Sequence, residues 1–257
     1  MPIRTQPSSR RLLSILAITL FTWTASQAVA NPPSADLEKR LAEGERSPED
    51  KARDAGRRPA AVINFLGIEA GMKVMDLIAA SGYYTEVLSV AVGPKGRVYA
   101  QNGDFVLKIR DGANDKAMTA RLANGRLPNV ERLDREVEDL SFDGTLDAVL
   151  TALNFHDIYN GGGEDAANKM LLTILKSLRP GGVLGLIDHA GNPKADNEKL
   201  HRIDEAKVVE AAKAAGFIVE ASSDVLRHSE DDRTQFVFAK GLRGATDRFV
   251  LRLRKPR

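Results

Sequence analysis

The sequence contains no cysteine among its 257 residues. This absence excludes disulfide bonds, thiolate-ligated metal sites and a cysteine nucleophile. It is compatible with export to an oxidising compartment, although it does not identify a compartment. Aromatic residues make up only 5% of the chain, which leaves little material for the stacking platforms on which proteins bind single-stranded nucleic acid.

The chain also lacks a large excess of charge of either sign. Its 37 basic and 35 acidic residues give a net charge of +2. Three of the basic residues, Arg4, Arg10 and Arg11, lie in a segment that we expect to be removed, and the remaining charges nearly cancel. The composition therefore indicates neither a nucleic-acid partner nor an anionic membrane surface.

No apolar run in the sequence reaches the roughly 20 residues that span a bilayer, but the N-terminal segment has the pattern of a secretory signal. Three arginines precede the apolar run 12–25, and Ala28 and Ala30 frame a cleavage point before Asn31. We predict a signal peptide at residues 1–30 and a secreted or periplasmic protein without stable membrane insertion after cleavage. An arginine pair after two serines leaves the export route, Sec or twin-arginine, open.

Hydrophobic periodicity predicts a single α/β domain at residues 59–257, preceded by a polar helical extension at residues 31–58. Strands alternate with helices, which favours right-handed βαβ units in a mainly parallel sheet with helices on both faces. An alanine-rich helix is predicted at residues 199–215. The last two extended stretches suit an antiparallel addition at the sheet edge. The predicted strands are residues 74–79, 97–101, 130–133, 147–153, 183–187, 217–221 and 249–253.

The junction after the first predicted strand is the first place to look for a ligand site, because open α/β sheets bind ligands beyond the carboxyl ends of their strands. It reads VMDLIAASGYYT from Val74 to Thr85. A turn of small residues lets the backbone approach a ligand, and the free amides of a helix start can face polar groups.

This junction resembles motif I of the class I S-adenosylmethionine (SAM) methyltransferases, an acidic residue followed by three alternate glycines. Asp76 and Gly82 match the first and last positions, whereas Ile78 and Ala80 stand where the first two glycines usually are. The segment LRPGGVL at residues 178–184 resembles the turn before strand five of that fold. The resemblance implies a Rossmann-like fold with a seven-stranded sheet.

Nearly the whole chain after the signal is similar to an exported bacterial family of "predicted methyltransferase" proteins. The shared motifs are Tyr83-Tyr84-Thr85, Asn154-Phe155-His156-Asp157, Asp188-His189, His201-Arg202-Ile203-Asp204-Glu205 and Asp247-Arg248-Phe249-Val250-Leu251. The resemblance implies SAM as the cofactor. The cofactor-binding positions that it implies are Asp76, Ala80, Gly82, Tyr84, Thr85, Asn102 and Asn154.

Asn102 is singled out because strand two of those methyltransferases usually ends in an acidic residue that holds the ribose hydroxyls. An amide at this position can still donate and accept hydrogen bonds, and the neighbouring Gln101 is the other candidate. Asn102-Gly103 is also a typical turn dipeptide, which offers a purely structural interpretation.

The catalytic candidates are His156 and Asp157, which follow the fourth strand, and His189, which follows the fifth. Because neighbouring strands end at one edge of a sheet, both imidazoles could face one cleft. His156 could act as a general base, since imidazole titrates near neutrality. Alternatively, Asp157 caps a turn and His156 braces the loop. The cluster of His156, His189, Asp188 and His201 could ligate a metal, but no His-x-x-x-His spacing supports one, and we expect none.

Two functions of different classes remain open from the sequence. The first is a SAM-dependent methyltransferase acting on a small or lipophilic acceptor. The second is an exported non-catalytic or repurposed ligand-binding protein with a degenerate SAM site, because Ile78 and Ala80 alter the loop and a fold does not determine function. A hydrolase using the His/Asp cluster is a third option. The acceptor and the oligomeric state cannot be read from the residues.

Overall fold

The computed structural model describes Met1 and residues 35–257, and the predicted signal peptide lies outside the described residues. None of the described helices combines the length and the apolarity that crossing a membrane requires. The helices are α1 (Ala35–Glu43), α2 (Pro48–Arg57), α3 (Pro59–Leu66), α4 (Tyr83–Val92), α5 (Asp104–Leu122), α6 (Phe155–Ser177), α7 (Asn197–Leu200) and α8 (Glu205–Ala214). The strands are β1 (Lys73–Leu77), β2 (Arg97–Asn102), β3 (Val130–Asp134), β4 (Leu146–Ala152), β5 (Leu178–His189), β6 (Ile218–Ser223) and β7 (Arg248–Arg254).

Residues 35–257 form one seven-stranded sheet in the order β3-β2-β1-β4-β5-β7-β6. The strands from β3 to β5 pair in parallel, whereas β7 runs antiparallel to both β5 and β6. The α/β fold and the strand number agree with the prediction, and the sheet is mixed because β7 inserts between β5 and β6. The strand order reverses between β1 and β4, which places the topological switch point at their carboxyl ends.

The strands between the two edge strands are largely buried on both faces, as strands covered by helices usually are. Successive residues of β1 point to opposite sides, so that Val74 joins one hydrophobic cluster and Met75 and Leu77 join the other. Helices α1, α3 and α4 pack on the first side, and α6 and α8 pack on the second. The sequence of β1 is a mainly apolar run because each of its two faces contributes to a different hydrophobic core.

A glycine in the middle of β5 lets a helix approach the sheet closely. A Cβ atom at Gly185 would lie 2.4 Å from Cδ1 of Leu66, the last residue of α3. Such a separation is well inside van der Waals contact, so a larger residue would have to displace the buried Leu66 side chain. The close approach also explains a glycine inside an otherwise apolar strand.

The predicted helix at residues 199–215 is wrong in one respect, because the chain breaks it into α7 and α8. His201 ends α7 with a left-handed φ of 52°. The side chain of Asp204 then caps α8 by accepting a hydrogen bond from the backbone N–H of Ala206. The helical periodicity of the sequence continues across this break, so the break could not be predicted from the periodicity. The break brings His201 to the rim of the site described next.

Candidate active site

A cleft of about 820 Å³ opens at the carboxyl ends of the central strands. Its walls include Ala80 and Ser81 from the loop after β1, Leu153 after β4, and His189 at the end of β5. Helix α2 and the segment before β7 close the other sides. The volume lies within the roughly 300–1,000 Å³ that small-molecule sites occupy, and the position is the switch point of the sheet.

The loop after β1 has a backbone of the kind that glycine favours. Ile78, Ala80 and Gly82, the three positions that match the glycines of motif I, have φ angles of 57°, 50° and 83°. A left-handed conformation costs an ordinary residue about 1–2 kcal/mol, and a β-branched residue there is an outlier. The loop therefore keeps the left-handed backbone conformations that glycine favours, although Ile78 and Ala80 replace two of the three glycines.

Side-chain hydrogen bonds from two asparagines and a glutamine stabilise this backbone conformation of the loop. The backbone N–H of Ile78 donates to Oε1 of Gln101 at 3.0 Å, and the N–H of Ala80 donates to Oδ1 of Asn102 at 2.8 Å. The Asn102 amide also donates to the Ala80 carbonyl, and the Asn154 amide donates to the Ile78 carbonyl. The Asn102 amide would have to give up its hydrogen bonds to Ala80 in order to bind a ribose hydroxyl. The ribose contact of Asn102 therefore stays a prediction.

The side chain of Ile78 does not block the cleft. It packs against the hydrophobic cluster that contains Met75 and Leu77, whereas Ala80 and Ser81 face the cleft. A branched residue at the first glycine position thus adds to the core. Of the two replacements, Ala80 is the one that a bound molecule would meet, and it adds only a methyl group.

Asp76, Tyr84 and Thr85 lie under the loop rather than along the cleft. All three are buried. The Thr85 hydroxyl donates to Oδ2 of Asp76 at 2.6 Å, and burial raises the pKa of Asp76 to about 7. Gly82 begins α4, and a Cβ atom there would lie 2.9 Å from the Arg121 side chain. These residues, which were predicted to bind the cofactor, pack beneath the loop on the side that faces away from the cleft.

The histidines after β4 and β5 lie together, with their ring centroids 5.7 Å apart. Between them lies Asp188, which is fully buried. Oδ1 of Asp188 is 2.7 Å from Nδ1 of His156, and Oδ2 accepts the backbone N–H of His156 at 2.8 Å. On the other side of the His156 ring, Nε2 is 3.2 Å from Oδ1 of Asp157.

The two imidazoles differ in protonation. Burial alone would lower the pKa of His156, but the carboxylates of Asp188 and Asp157 outweigh it and raise the pKa to about 10. Burial lowers the pKa of His189 to about 3, and the positive charge of His156 acts in the same direction. At neutral pH His156 is therefore a charged imidazolium and His189 a neutral imidazole. The neutral His189 lines the cleft, whereas His156 would have to release a proton before it could act as the general base predicted for it, and that role stays a prediction.

Sequence reasoning missed the aromatic rim of this cluster. His201 lies against His156 with ring centroids 5.6 Å apart, and its Nδ1 is 3.3 Å from Oδ1 of Asp157. Phe236 and Phe238 pack edge-on against His201 although both side chains are exposed. Two phenylalanines within a mainly polar loop can be recognised in the sequence. Their contact with His201 could not be predicted, because it depends on the break between α7 and α8.

The cleft is also more basic than the balanced composition of the chain indicates. Arg248 is buried, and its Nε and Nη2 donate to the backbone carbonyls of Thr246, Gly56 and Gly244. The Arg57 guanidinium lies over the Tyr83 ring, 4.4 Å from its centroid. Neither arginine forms an ion pair with a carboxylate in the part of the chain that the structure describes. The cleft-lining arginines are Arg53, Arg57, Arg110, Arg243 and Arg248.

No protein-family model matches the chain. A ubiquinone/menaquinone biosynthesis C-methyltransferase, UbiE, of Idiomarina loihiensis is 31% identical over 123 residues, which cover 47% of this chain and 43% of that protein. UbiE of Shewanella pealeana is 30% identical over 150 residues, which cover 57% of this chain and 54% of that protein. The chain thus spans about half the length of the curated relatives it matches.

Solved structures agree on the fold. A SAM-dependent methyltransferase of Aquifex aeolicus superposes with a TM-score of 0.59 at 22% identity, covering 82% of this chain and all of that one. The [4+2]-cyclase SpnF superposes with a TM-score of 0.58 at 17% identity, covering 79% of this chain and 81% of that one. The chain therefore has the fold of the class I SAM-dependent methyltransferases.

Proposed function

We propose that this protein is a SAM-dependent methyltransferase that acts on a small acceptor in the cleft. The observation that carries the proposal is the loop after β1, which keeps left-handed backbone conformations at Ile78, Ala80 and Gly82. Strained backbone of this kind persists where the surrounding structure holds it, and it concentrates at functional sites. The activity of the similar UbiE proteins, C-methylation in ubiquinone and menaquinone biosynthesis, supports the same reaction type.

The residues of the cleft suit the cofactor. SAM carries a carboxylate, and Arg57 and Arg248 are guanidinium groups that lack a carboxylate partner among residues 35–257. Guanidinium groups bind carboxylates with two parallel hydrogen bonds. Ala80 and Ser81 are small enough for a ligand to approach the backbone. When bound, SAM would supply an electrophilic methyl group next to the acceptor.

His189 is the residue that we assign to positioning the acceptor, because its neutral imidazole lines the cleft and can accept a hydrogen bond from a polar hydrogen of the acceptor. Its imidazole is neutral because burial lowers its pKa to about 3, and the Thr246 hydroxyl lies 2.8 Å from its Nδ1. The rest of the catalytic effect would come from holding the acceptor in line with the methyl group, since orientation alone supplies large rate factors. We assign no base role to His156, because its imidazolium is held between two carboxylates.

The experiment supplies methyl-labelled SAM and the purified protein to a small-molecule extract of the producing cell. We expect label in a new product, and we expect His189→Ala to lower the rate by about tenfold, the upper end for the loss of one hydrogen bond that positions the acceptor. His228→Ala is the matched control and should leave the rate unchanged. No labelled product with the wild-type protein would overturn the proposal. Equal rates for wild type and His189→Ala would overturn the role of His189.

A further inference from the structure

Two imidazoles and a carboxylate converge at the rim of the cleft. Nε2 of His156 and Nδ1 of His201 lie 3.2 Å and 3.3 Å from the same atom, Oδ1 of Asp157. The three potential ligand atoms lie within 4.8 Å of one another. Ligands at about 2.0–2.2 Å from a zinc-like ion are themselves about 3–3.5 Å apart, so both short distances already match a shared ion.

The cluster has the outer support that metal-ligating histidines have. A ligating imidazole usually donates its other ring N–H to a carboxylate, which sets the tautomer and leaves the first nitrogen free for the ion. In His156, Nδ1 lies 2.7 Å from Oδ1 of the fully buried Asp188. The second Asp188 oxygen accepts the backbone N–H of His156, so this carboxylate cannot rotate freely. Nε2 of His156 is thereby aimed at Asp157, and a bound ion would take the place of the Nε2 proton, which is released to solvent.

The outer side of the cluster is open. The side chains of Asp157 and His201 are 58% and 41% exposed, so an ion can enter from solvent. Phe236 and Phe238 pack against the His201 ring on its far side, and they limit its orientation. Three protein ligands leave coordination positions for water or for a bound molecule, as in catalytic rather than structural metal sites.

We propose that His156, Asp157 and His201 bind one divalent transition-metal ion. Two imidazole nitrogens and one carboxylate oxygen suit Zn²⁺, Fe²⁺ or Co²⁺, whereas an all-oxygen set would suit Mg²⁺ or Ca²⁺. The site stands next to His189, whose ring centroid lies 5.7 Å from that of His156, and its open positions lie on the exposed side of Asp157 and His201. The metal site does not depend on the methyltransferase activity, and the test below involves neither SAM nor an acceptor.

The test titrates chelator-treated protein with Zn²⁺ by calorimetry and with Co²⁺ by visible absorption. We expect one ion per chain for the wild-type protein, and at least a tenfold weaker binding for His201→Ala and for Asp157→Asn. Asp188→Asn should weaken binding about 10–100-fold without removing a ligand, as loss of an outer partner does. His228→Ala, which removes a histidine outside the cluster, should bind like wild type.

The exposed positions of Asp157 and His201 make these variants tolerable for folding, and His201→Gln provides a second variant of nearly equal size. Wild-type titrations that match those of Asp157→Asn and His201→Gln would overturn the proposal. Loss of binding in His228→Ala would equally overturn it, because the ion would then lie elsewhere. Visible Co²⁺ bands that disappear in both cluster variants and persist in His228→Ala would support it.

Discussion

Asp76 is a buried carboxyl group beneath the loop that follows β1. Its contact with the Thr85 hydroxyl favours the charged form, but burial outweighs this contact and raises the pKa to about 7. In the unfolded chain the group titrates near 3.8. Folding therefore favours the protonated form, and ionised Asp76 destabilises the native state as pH rises from about 4 to above 7.

Asp76→Asn should consequently stabilise the protein at pH 8 but not at pH 4. The gain should grow between these limits to a few kcal/mol and at most ~4 kcal/mol, the linkage value of such a pKa difference. Urea denaturation at a series of pH values measures it. The exposed Asp139 supplies the control Asp139→Asn, which should show no such pH dependence. A variant equally destabilised at both pH values would contradict the burial account of Asp76.

The residues around the two histidines show where sequence reasoning reached its limit. Their positions after consecutive strands predicted that His156 and His189 could share one cleft. Which of them is charged could not be predicted, because that depends on distances to Asp157 and Asp188 in the folded chain. Arg57 was not singled out and Arg248 was named without a role for a related reason, since only the tertiary fold brings α2 to the start of β7.

At the scale of elements, a buried ionic network joins α2, α4 and α5. Glu86 of α4 is 2% exposed and pairs with both Arg121 and Arg126. Arg121 also pairs with Asp50 of α2 at 2.6 Å. The Tyr83 hydroxyl donates to Oδ1 of Asp54, likewise at 2.6 Å. These contacts hold α2 against the domain and keep its arginines at the cleft.

Glu86→Gln should destabilise the protein by about 3–5 kcal/mol, because it leaves two guanidinium groups near a neutral amide in a buried site. The free energy of unfolding in urea measures this change. Glu38→Gln, on the exposed face of α1, is the control and should alter stability by less than about 0.5 kcal/mol. A loss below 1 kcal/mol for Glu86→Gln would show that water or neighbouring groups replace the carboxylate.

The elements themselves followed from hydrophobic patterns to within a few residues. Buried parallel strands are short apolar runs, and β1, β2 and β4 were predicted on that basis. Helix α5 is interrupted at residues 109–112, where Gly112 has a left-handed φ. The split between α7 and α8 was missed because His201 adopts a left-handed conformation inside a helical pattern. The insertion of β7 beside β5 is a pairing choice that strand patterns do not encode.

At the scale of the whole molecule, the N-terminal segment bears on where the protein works. We predict that the mature chain begins at Asn31, because an arginine-rich start, a short apolar run and small residues at Ala28 and Ala30 precede it. Intact-mass measurement of protein from the producing cell checks this prediction. A soluble product that retains residues 1–30 would contradict export by signal cleavage.

The fold as a whole is that of the class I methyltransferases. The sheet order and the cleft at the switch point agree with it, and the [4+2]-cyclase SpnF has a similar fold. Fold similarity therefore cannot separate a methyltransferase from a repurposed ligand-binding protein. What separates them is whether the loop at Ile78 and Ala80 still accepts SAM.

Calorimetric titration of the purified protein with SAM tests this claim most directly. We predict saturable binding by wild type, because Ile78 packs into the core and leaves the cleft open. Arg57→Gln should weaken binding about 10–100-fold, since a charge-assisted hydrogen bond contributes about 1.5–3 kcal/mol. Arg97→Gln, at the opposite end of the sheet, should not. Absence of SAM binding by wild type, with binding restored in Ile78→Gly/Ala80→Gly, would contradict the account.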